Sequence, residues 1–408
     1  MMKNIMTKLG IIREGKTPPD KRVPLTPKQC RELLDTYSNL EIYVQPSPIR
    51  AFPDSAYEAE GIELREDLSN CDLLIGVKEV PLNMLISNKK YMFFSHTFKG
   101  QPYNRNLLRA ILEKKITLID YEVLTTSSGK RLLGFGRYAG VVGCYNAMLA
   151  VGKKYGFYDL KPAHQCHSRK EVEEELKKVN LPASFKIVMT GTGRVANGAL
   201  EIMDLLPIQK VSPEEYLKGK FDKPVYTQLS SSDYVKPKDG SEFVKSDFYN
   251  DPSNYESNFM RFARESDLFV TCHYWDQDAP DLFSREDAKD SLFRIKVVAD
   301  ISCDIDGPVG STLRASTIAD PFYGYDPATE SETDFMNPRA IGVMAVDNLP
   351  CELPKDASED FGREFIKNII PELLDEKESE IIQRATQTTP EGELTEDYQY
   401  LSDYVAGK

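Results

Sequence analysis

In its 408 residues the sequence has no apolar run of membrane-spanning length, no paired cysteines, few histidines and no excess of positive charge. Each absence removes a class of protein. Without a run of about 20 apolar residues, a transmembrane helix is not expected. The N-terminus, MMKNIMTKLGIIREG, lacks the apolar segment and small-residue cleavage site of a secretory signal, which favours the cytoplasm. The cysteines, Cys30, Cys71, Cys144, Cys166, Cys272, Cys303 and Cys351, are scattered and form no CxxC pair. A disulfide framework or zinc site is therefore not expected, and they read as small buried residues. The four histidines are His96, His164, His167 and His273. His164 and His167 have ligand-like spacing, but apart from Cys166 between them no partners converge. They read as surface residues, and no metal is expected. The 51 Lys and Arg against 64 Asp and Glu give a net charge of −13. An acidic body repels phosphate backbones, which argues against nucleic-acid binding. A local basic cleft for an anionic small molecule stays open.

What is present is a large globular chain. With 41% hydrophobic and 28% charged residues it can build substantial cores, and its length exceeds one ordinary core, so two domains are expected. In the first 125 residues short apolar runs alternate with amphipathic stretches. The runs are 8–14, 41–45, 71–78, 91–96 and 116–121, with helix-like segments at 26–37 and 103–114. Such alternation predicts βαβ units and a mostly parallel sheet. From Gly134, GFGRYAGVVGCYNAMLAVGKKYG predicts a long helix rich in small residues, joining the domains. Residues 164–180 predict a charged surface helix. A second βαβ region starts at Phe185, with later strands at 268–272, 296–301 and 341–346. Residues 226–255 predict loops and an irregular excursion. Residues 360–384 predict an amphipathic helix broken at Pro371, and the residues after it read as peripheral.

The strongest motif is Gly191-Thr-Gly193-Arg194-Val195-Ala196, a G-x-G-x-x-A pattern between a strand and a helix. The first glycine makes a tight turn, the second admits a pyrophosphate to the backbone, and the small third residue allows close packing. The helix start offers free N–H groups to phosphate, and Arg194 adds charge. An acidic ribose ligand is expected about 20 residues on. That stretch, 208–212, has none, and Glu214 and Glu215 come late. Lys210 there reads either as a partner for a 2′-phosphate or as a solvated lysine. NAD and NADP both stay open. His273, after an apolar strand, reads as structural, with cofactor contact as the alternative.

Three further signatures precede the glycine motif: RVPLTP from Arg22, GVKEVP containing Lys78 and Glu79, and FSHTFKGQ containing His96 and Lys99. In this order they resemble the alanine dehydrogenase/transhydrogenase N-terminal superfamily. The FGRYAG segment (135–140), ADISCD (299–304) and DNLPCELP (347–354) narrow the resemblance to lysine-forming saccharopine dehydrogenases and lysine–ketoglutarate reductases. It covers nearly the whole chain. It implies an α/β fold of two Rossmann-like doubly wound domains with a cleft between them. Residues 1–136 plus 341–408 would form the substrate domain, and 137–340 the NAD(P)-binding domain.

The activity implied is an NAD(P)-dependent exchange between an amino acid plus a 2-oxo acid and a secondary-amine opine, with L-lysine and 2-oxoglutarate as the substrates. Forming a secondary amine needs proton transfer at several steps and cations to hold carboxylates. By the resemblance Lys78 and His96 are the acid/base groups, and Arg22 and Lys99 hold carboxylates. Glu79 and Glu122 tune the cluster. Asp304 matches a cleft aspartate whose role, catalytic or binding, stays open. Gly191, Gly193, Arg194, Val195 and Ala196 hold the cofactor. The partners are small molecules, with neither nucleic acid nor membrane, and a homo-oligomer stays open. Alanine dehydrogenase-like deamination is one alternative, opposed by the FGRYAG and DNLPCELP segments. A non-catalytic nucleotide-binding or transhydrogenase-like protein is another, opposed by the intact Lys78/His96 pair.

Overall fold

The computed structural model describes residues 7–375 and 379–408. The first residues of the N-terminal segment read above, and 376–378 within the expected 360–384 helix, lie outside the described residues. The chain forms two compact units. One runs to Phe135 and resumes over Pro354–Lys408; the other is Gly136–Leu353.

The first unit is built on six strands, β1 (Thr7–Ile11), β2 (Leu40–Val44), β3 (Glu63–Leu64), β4 (Leu73–Ile75), β5 (Lys90–Phe93) and β6 (Thr117–Asp120). All are parallel, in the order β3-β2-β1-β4-β5-β6. That is the doubly wound order, and its reversal between β1 and β4 marks where ligands bind, beyond the carboxyl ends of the strands. Several strands stop short of the apolar runs that encode them. β5 ends at Phe93 and β4 at Ile75, because the following residues leave the ladder and face this edge. His96 has φ of +55°, a left-handed backbone that ends extended pairing. The helix Pro27–Thr36 begins at a capping box in which Thr26 and Gln29 satisfy each other's backbone N–H, with Pro27 setting the first turn.

The returning chain completes this core. The helix Pro354–Asn368 buries Phe361 and Phe365, and Phe361 stacks on Phe135 at 4.5 Å. It ends at Asn368, and Pro371 lies in the first turn of the next short helix, Ile370–Leu374. The last segment is not peripheral as expected. Gln387 and Thr388 are buried, Thr388 Oγ1 accepts from Leu118 N–H at 2.9 Å, and Tyr398, Leu401 and Tyr404 pack on Leu108. Its mixed polar sequence hides this, because its anchoring is largely by hydrogen bonds.

The second unit carries β7 (Lys186–Thr190), β8 (Gln209–Lys210), β9 (Val225–Leu229), β10 (Val235–Pro237), β11 (Tyr255–Ser257), β12 (Leu268–Thr271), β13 (Val297–Asp300), β14 (Phe322–Asp326), β15 (Ser331–Thr333) and β16 (Ile341–Met344). Its main sheet has the order β15-β14-β16-β13-β12-β7-β9-β8, with the last six parallel and β14 and β15 antiparallel. Two expectations are corrected. The strand β16 pairs with β13 in this sheet, so the return to the first unit starts at Pro354 rather than 341. The stretch 226–255 is not all loop. It opens with β9, a buried strand beside β7, and holds the β10–β11 ribbon. Thr227 and Gln228 interrupt the apolar run of β9, which masks the strand.

The expected joining helix is Gly136–Tyr155, within the second unit. Small residues let it lie against the helix Arg194–Met203. A Cβ on Gly140 would sit 1.9 Å from Val195 O, and one on Gly198 1.9 Å from Arg137 O. Both obstacles are backbone, which cannot rotate aside. Gly140→Ala is therefore expected to lower the unfolding free energy by about 1–3 kcal/mol. Thermal and denaturant unfolding would measure it, and an unchanged midpoint would contradict this packing.

The charged segment 164–180 forms a shorter helix, Arg169–Leu176. His164 lies 3.7 Å from Glu352, and His167 N–H donates to Glu171. Among the described residues no His, Cys, Asp and Glu group could hold a metal, and no helix is long and apolar enough to cross a membrane.

Candidate functional site

The carboxyl edge of the first sheet gathers most of the expected groups. Lys78 and Glu79 follow β4, His96 follows β5, and Glu122 follows β6. The loop after β1 adds Glu14 and Lys16, then Asp20 and Arg22.

Glu14 organises the start of the Lys78 loop. Its carboxyl accepts from Val77 N–H at 2.6 Å and Lys78 N–H at 2.9 Å. Burial pushes it up to about 8, with Asp20 adding and the two N–H groups and Arg22 opposing, so at neutral pH it brings little negative charge to Lys78. Lys78 is itself held below the ordinary lysine range, first by burial and then by Arg22, while Glu79 and Asp20 pull the other way. A lysine lowered in this way yields its proton more readily.

His96 is held by two carboxylates. Its Nδ1 is 2.8 Å from Glu79 Oε1, and its Nε2 is 3.6 Å from Glu122 Oε2. Burial raises the Glu79 carboxyl, but the hydrogen bonds from His96 and Lys16 outweigh it and leave the group at about 2. An ionised Glu79 can only accept, so His96 Nδ1 carries the proton toward it and Nε2 is left to exchange protons. Glu122 is raised by burial and lowered more by Arg131 and Lys99, which lie at 2.8 and 3.0 Å.

Glu79 makes a pH-dependent contribution to stability. Its folded value of about 2 lies below the ordinary 4.5, so that contribution is complete above about pH 4.5 and is lost as pH falls toward 2. Allowing for partial exposure, Glu79→Gln should cost about 1–3 kcal/mol at neutral pH, with the gap closing toward pH 2. Denaturant unfolding of both proteins over that range measures this. A gap that stays constant would contradict the pairing.

The loop bearing His96 rests on a buried aspartate. Asp120 Oδ2 accepts from Ser95 N–H at 2.9 Å, Ser95 Oγ–H at 2.5 Å and His96 N–H at 3.1 Å, and Oδ1 accepts from Glu122 N–H at 2.7 Å. Thr97 Oγ–H donates to Gln387 at 2.7 Å, so the returning C-terminal segment braces the same loop.

Arg22 departs from its expected presentation. It is buried and grips Asp20, with Nη2–Oδ2 at 2.6 Å, and lies 4.2 Å over the Phe135 ring. Burial raises Asp20, but Arg22 outweighs it and brings the group to about 2. The half-exposed cations of this edge are Lys16, Lys99 and Arg131. Glu14, Lys16, Asp20, Asp120, Arg131 and Gln387 escaped the sequence reading. For Glu14 and Lys16 a signal existed: Glu14 ends the first apolar run and Lys16 follows it, just as His96 ends a later one.

Asp304 belongs to the second unit, in the loop after β13. Burial and the neighbouring Asp300 push it up to about 6. The glycine turn lies in the same unit. Gly191 has φ of +97°, and a Cβ there would meet Cys272 O at 2.3 Å. Gly193 caps the helix Arg194–Met203, and a Cβ on it would enter open space. The backbone N–H groups at the start of this helix face the turn, where a helix offers its positive end to an anion. A tight turn, an open cradle and a helix start fit a pyrophosphate. Gly193→Ala should therefore leave unfolding unchanged while weakening dinucleotide binding by roughly tenfold or more, read by calorimetry.

The ribose position moves. On the side of β7 away from β12 its neighbour is β9, with β8 outside it, so the residues beyond β9 replace 208–212 as those next to the turn. Gln228 Nε2 donates to Gly191 O at 2.9 Å. Asp233, the nearby carboxylate, accepts from Ser230 N–H and Oγ–H in a capping box. Lys210 is exposed on β8, and Glu214 and Glu215 open a separate short helix.

Two sheets, one parallel with the doubly wound order and one mostly parallel with a glycine turn leading into a helix, define a two-unit dinucleotide-fold protein. Residues 10–142 match the family model described as alanine dehydrogenase/PNT, N-terminal domain. The chain is 34% identical over 440 residues to alpha-aminoadipic semialdehyde synthase of Arabidopsis thaliana, covering 96% of this chain and 41% of that protein. It thus spans under half the length of that relative. It is 24% identical to saccharopine dehydrogenase [NAD(+), L-lysine-forming] of Yarrowia lipolytica, covering 88% of this chain and 90% of the other. A solved L-alanine dehydrogenase shares its fold with a TM-score of 0.67 at 15% identity, covering 98% of this chain and 100% of that one. Residues 10–142 are thus similar to the N-terminal domain of alanine dehydrogenases and transhydrogenases.

Proposed function

We propose that this chain is an NAD(P)-dependent oxidoreductase acting on CH–NH bonds, which interconverts L-lysine plus 2-oxoglutarate with the secondary-amine opine they form. The observation that carries this is the edge of the first sheet, where a lysine of lowered basicity and a carboxylate-oriented histidine end adjacent strands among half-exposed cations. The name of the Yarrowia lipolytica relative, an L-lysine-forming saccharopine dehydrogenase, supports lysine as one of the substrates.

Lys78 Nζ takes the proton that must leave the amine before it attacks the ketone. His96 Nε2, oriented by Glu79, moves protons to and from the oxygen that departs as water. Lys99 and Arg22 hold the substrate carboxylates, with Lys16 and Arg131 paired to Glu79 and Glu122 of the same cluster. Glu79 and Glu122 keep the local charge balanced, and Asp304, poised near neutrality, serves binding. Gly191, Gly193, Arg194, Val195 and Ala196 would hold the nucleotide, which when bound would supply or accept the hydride.

Purified protein given lysine, 2-oxoglutarate and NADH or NADPH should consume the reduced nucleotide. The fold shared with L-alanine dehydrogenase motivates a second arm with ammonia and pyruvate. Turnover there alone would replace the lysine reading with deamination. Nucleotide binding with no turnover in either arm would leave a binding protein.

A further inference from the structure

Resting on the reading of Lys99 as a holder of substrate carboxylate, we propose that Tyr400 and Tyr404 are positioning residues, which place the Lys99 ammonium for that carboxylate by clamping the backbone on either side of it. The Tyr400 hydroxyl donates to Phe98 O at 2.7 Å, and the Tyr404 hydroxyl donates to Gln101 O at 2.6 Å. Phe98 precedes Lys99 directly, and Gln101 follows it by two residues.

The clamped stretch has freedom to lose. Lys99 ends a single turn, Thr97–Lys99, flanked by His96 with φ of +55° and Gly100 with φ of +63°. A left-handed residue on each side makes a pair of hinges, and the one that is not glycine keeps this backbone only where its surroundings hold it. Beyond the turn, lysine adds a flexible four-carbon stem. The ammonium is therefore placed only when the turn is. Thr97, tied to Gln387, secures the His96 side of the turn. The two phenols secure the Lys99 side, and Lys99 Nζ then rests 3.0 Å from Glu122 Oε1.

The clamp is itself anchored. Leu401 and Tyr404 pack on Leu108, and Arg109 Nε donates to Val405 O at 2.6 Å, which joins the segment to the helix Arg105–Glu113. The Arg105 guanidinium lies 5.1 Å from the Tyr404 ring. Packing does not account for Tyr400. It is 62% exposed, so its ring adds little to the core, and what it brings to the turn is the hydroxyl. An ammonium already in place binds a carboxylate without first giving up its own freedom, so the clamp acts on affinity and not on proton transfer.

Steady-state kinetics of the full-length protein with lysine, 2-oxoglutarate and reduced nucleotide test this. Lys99→Met identifies the substrate whose KM depends on the ammonium. Tyr400→Phe with Tyr404→Phe, which keeps both rings, should raise that same KM roughly tenfold while kcat stays within about twofold. In the Lys99→Met background the pair should raise it no further, because no ammonium is left to place. Unfolding midpoints of the same preparations separate this from a general loss of fold. A lowered midpoint with KM unchanged would make the phenols structural only and overturn the proposal. So would an equal rise in KM with and without Lys99. If Lys99→Met leaves both KM values unchanged, the clamp falls while the proposed reaction stands. If the unaltered protein does not turn over, the proposed reaction fails and the clamp with it.

Discussion

Lys78→Met is expected to lower turnover by about a hundredfold to ten-thousandfold with lysine and 2-oxoglutarate, and His96→Gln to do much the same. The methionine keeps most of the stem and removes the titrating amine. Its effect on stability distinguishes a chemical role from a structural one. The folded lysine is held below its ordinary 10.5, so protonation is disfavoured in the folded state. A base lowered in this way weakens the folded protein relative to the unfolded chain at pH values below its ordinary range, and that penalty fades as pH rises toward 10.5. Removing the amine should thus leave neutral-pH stability unchanged or improved while turnover collapses. For His96→Gln, the hydrogen bond to Glu79 can be kept by the amide, but no group remains at the Nε2 position to titrate. Steady-state rates and unfolding midpoints of the same preparations test this. A Lys78→Met protein that turns over normally, or that loses activity only in proportion to lost folding, would contradict the assignment.

The largest loss of stability is expected from Asp120→Ala. One carboxyl receives Ser95 N–H, Ser95 Oγ–H, His96 N–H and Glu122 N–H, all in a buried place. Each donor left unpaired costs about 1–3 kcal/mol, and some relief comes from relaxation and water, so the total should be about 3–6 kcal/mol. The same change releases the left-handed backbone at His96, which costs energy unless its surroundings hold it. Asp120 touches no reacting atom, so it is a positioning residue, and its signature is a fall in kcat with the folded fraction held constant. Gln387→Leu, which removes only the brace from the C-terminal segment, should lower kcat in the same direction with a smaller loss of stability. Unchanged kcat in folded Asp120→Ala protein would show that the loop needs no such support.

The parallel strands of the first unit were legible because strands covered on both faces leave continuous apolar runs, as LLI of β4 does. The glycine turn was legible because its residues serve a backbone geometry that few others permit. Less was visible where the encoding is polar or distant. Val225–Leu229 carries Thr and Gln inside a central strand, and only its pairing with β7 identifies it. The engagement of Arg22 by Asp20 could not be read either, because a motif shows which cation is present and not what neutralises it. Asp120 and Gln387 are 267 positions apart and meet only through the return of the chain. Their roles arise from tertiary structure, for which periodicity carries no signal.

The account turns on where the hydride goes. Reduced nucleotide deuterated at its transferable position, incubated with the protein, lysine and 2-oxoglutarate, should yield a lysine–oxoglutarate secondary amine heavier by one deuterium at the former keto carbon, detected by mass spectrometry. Deuterium found instead in a hydroxy acid or in a primary amino acid, with none in an opine, would contradict the proposed reaction.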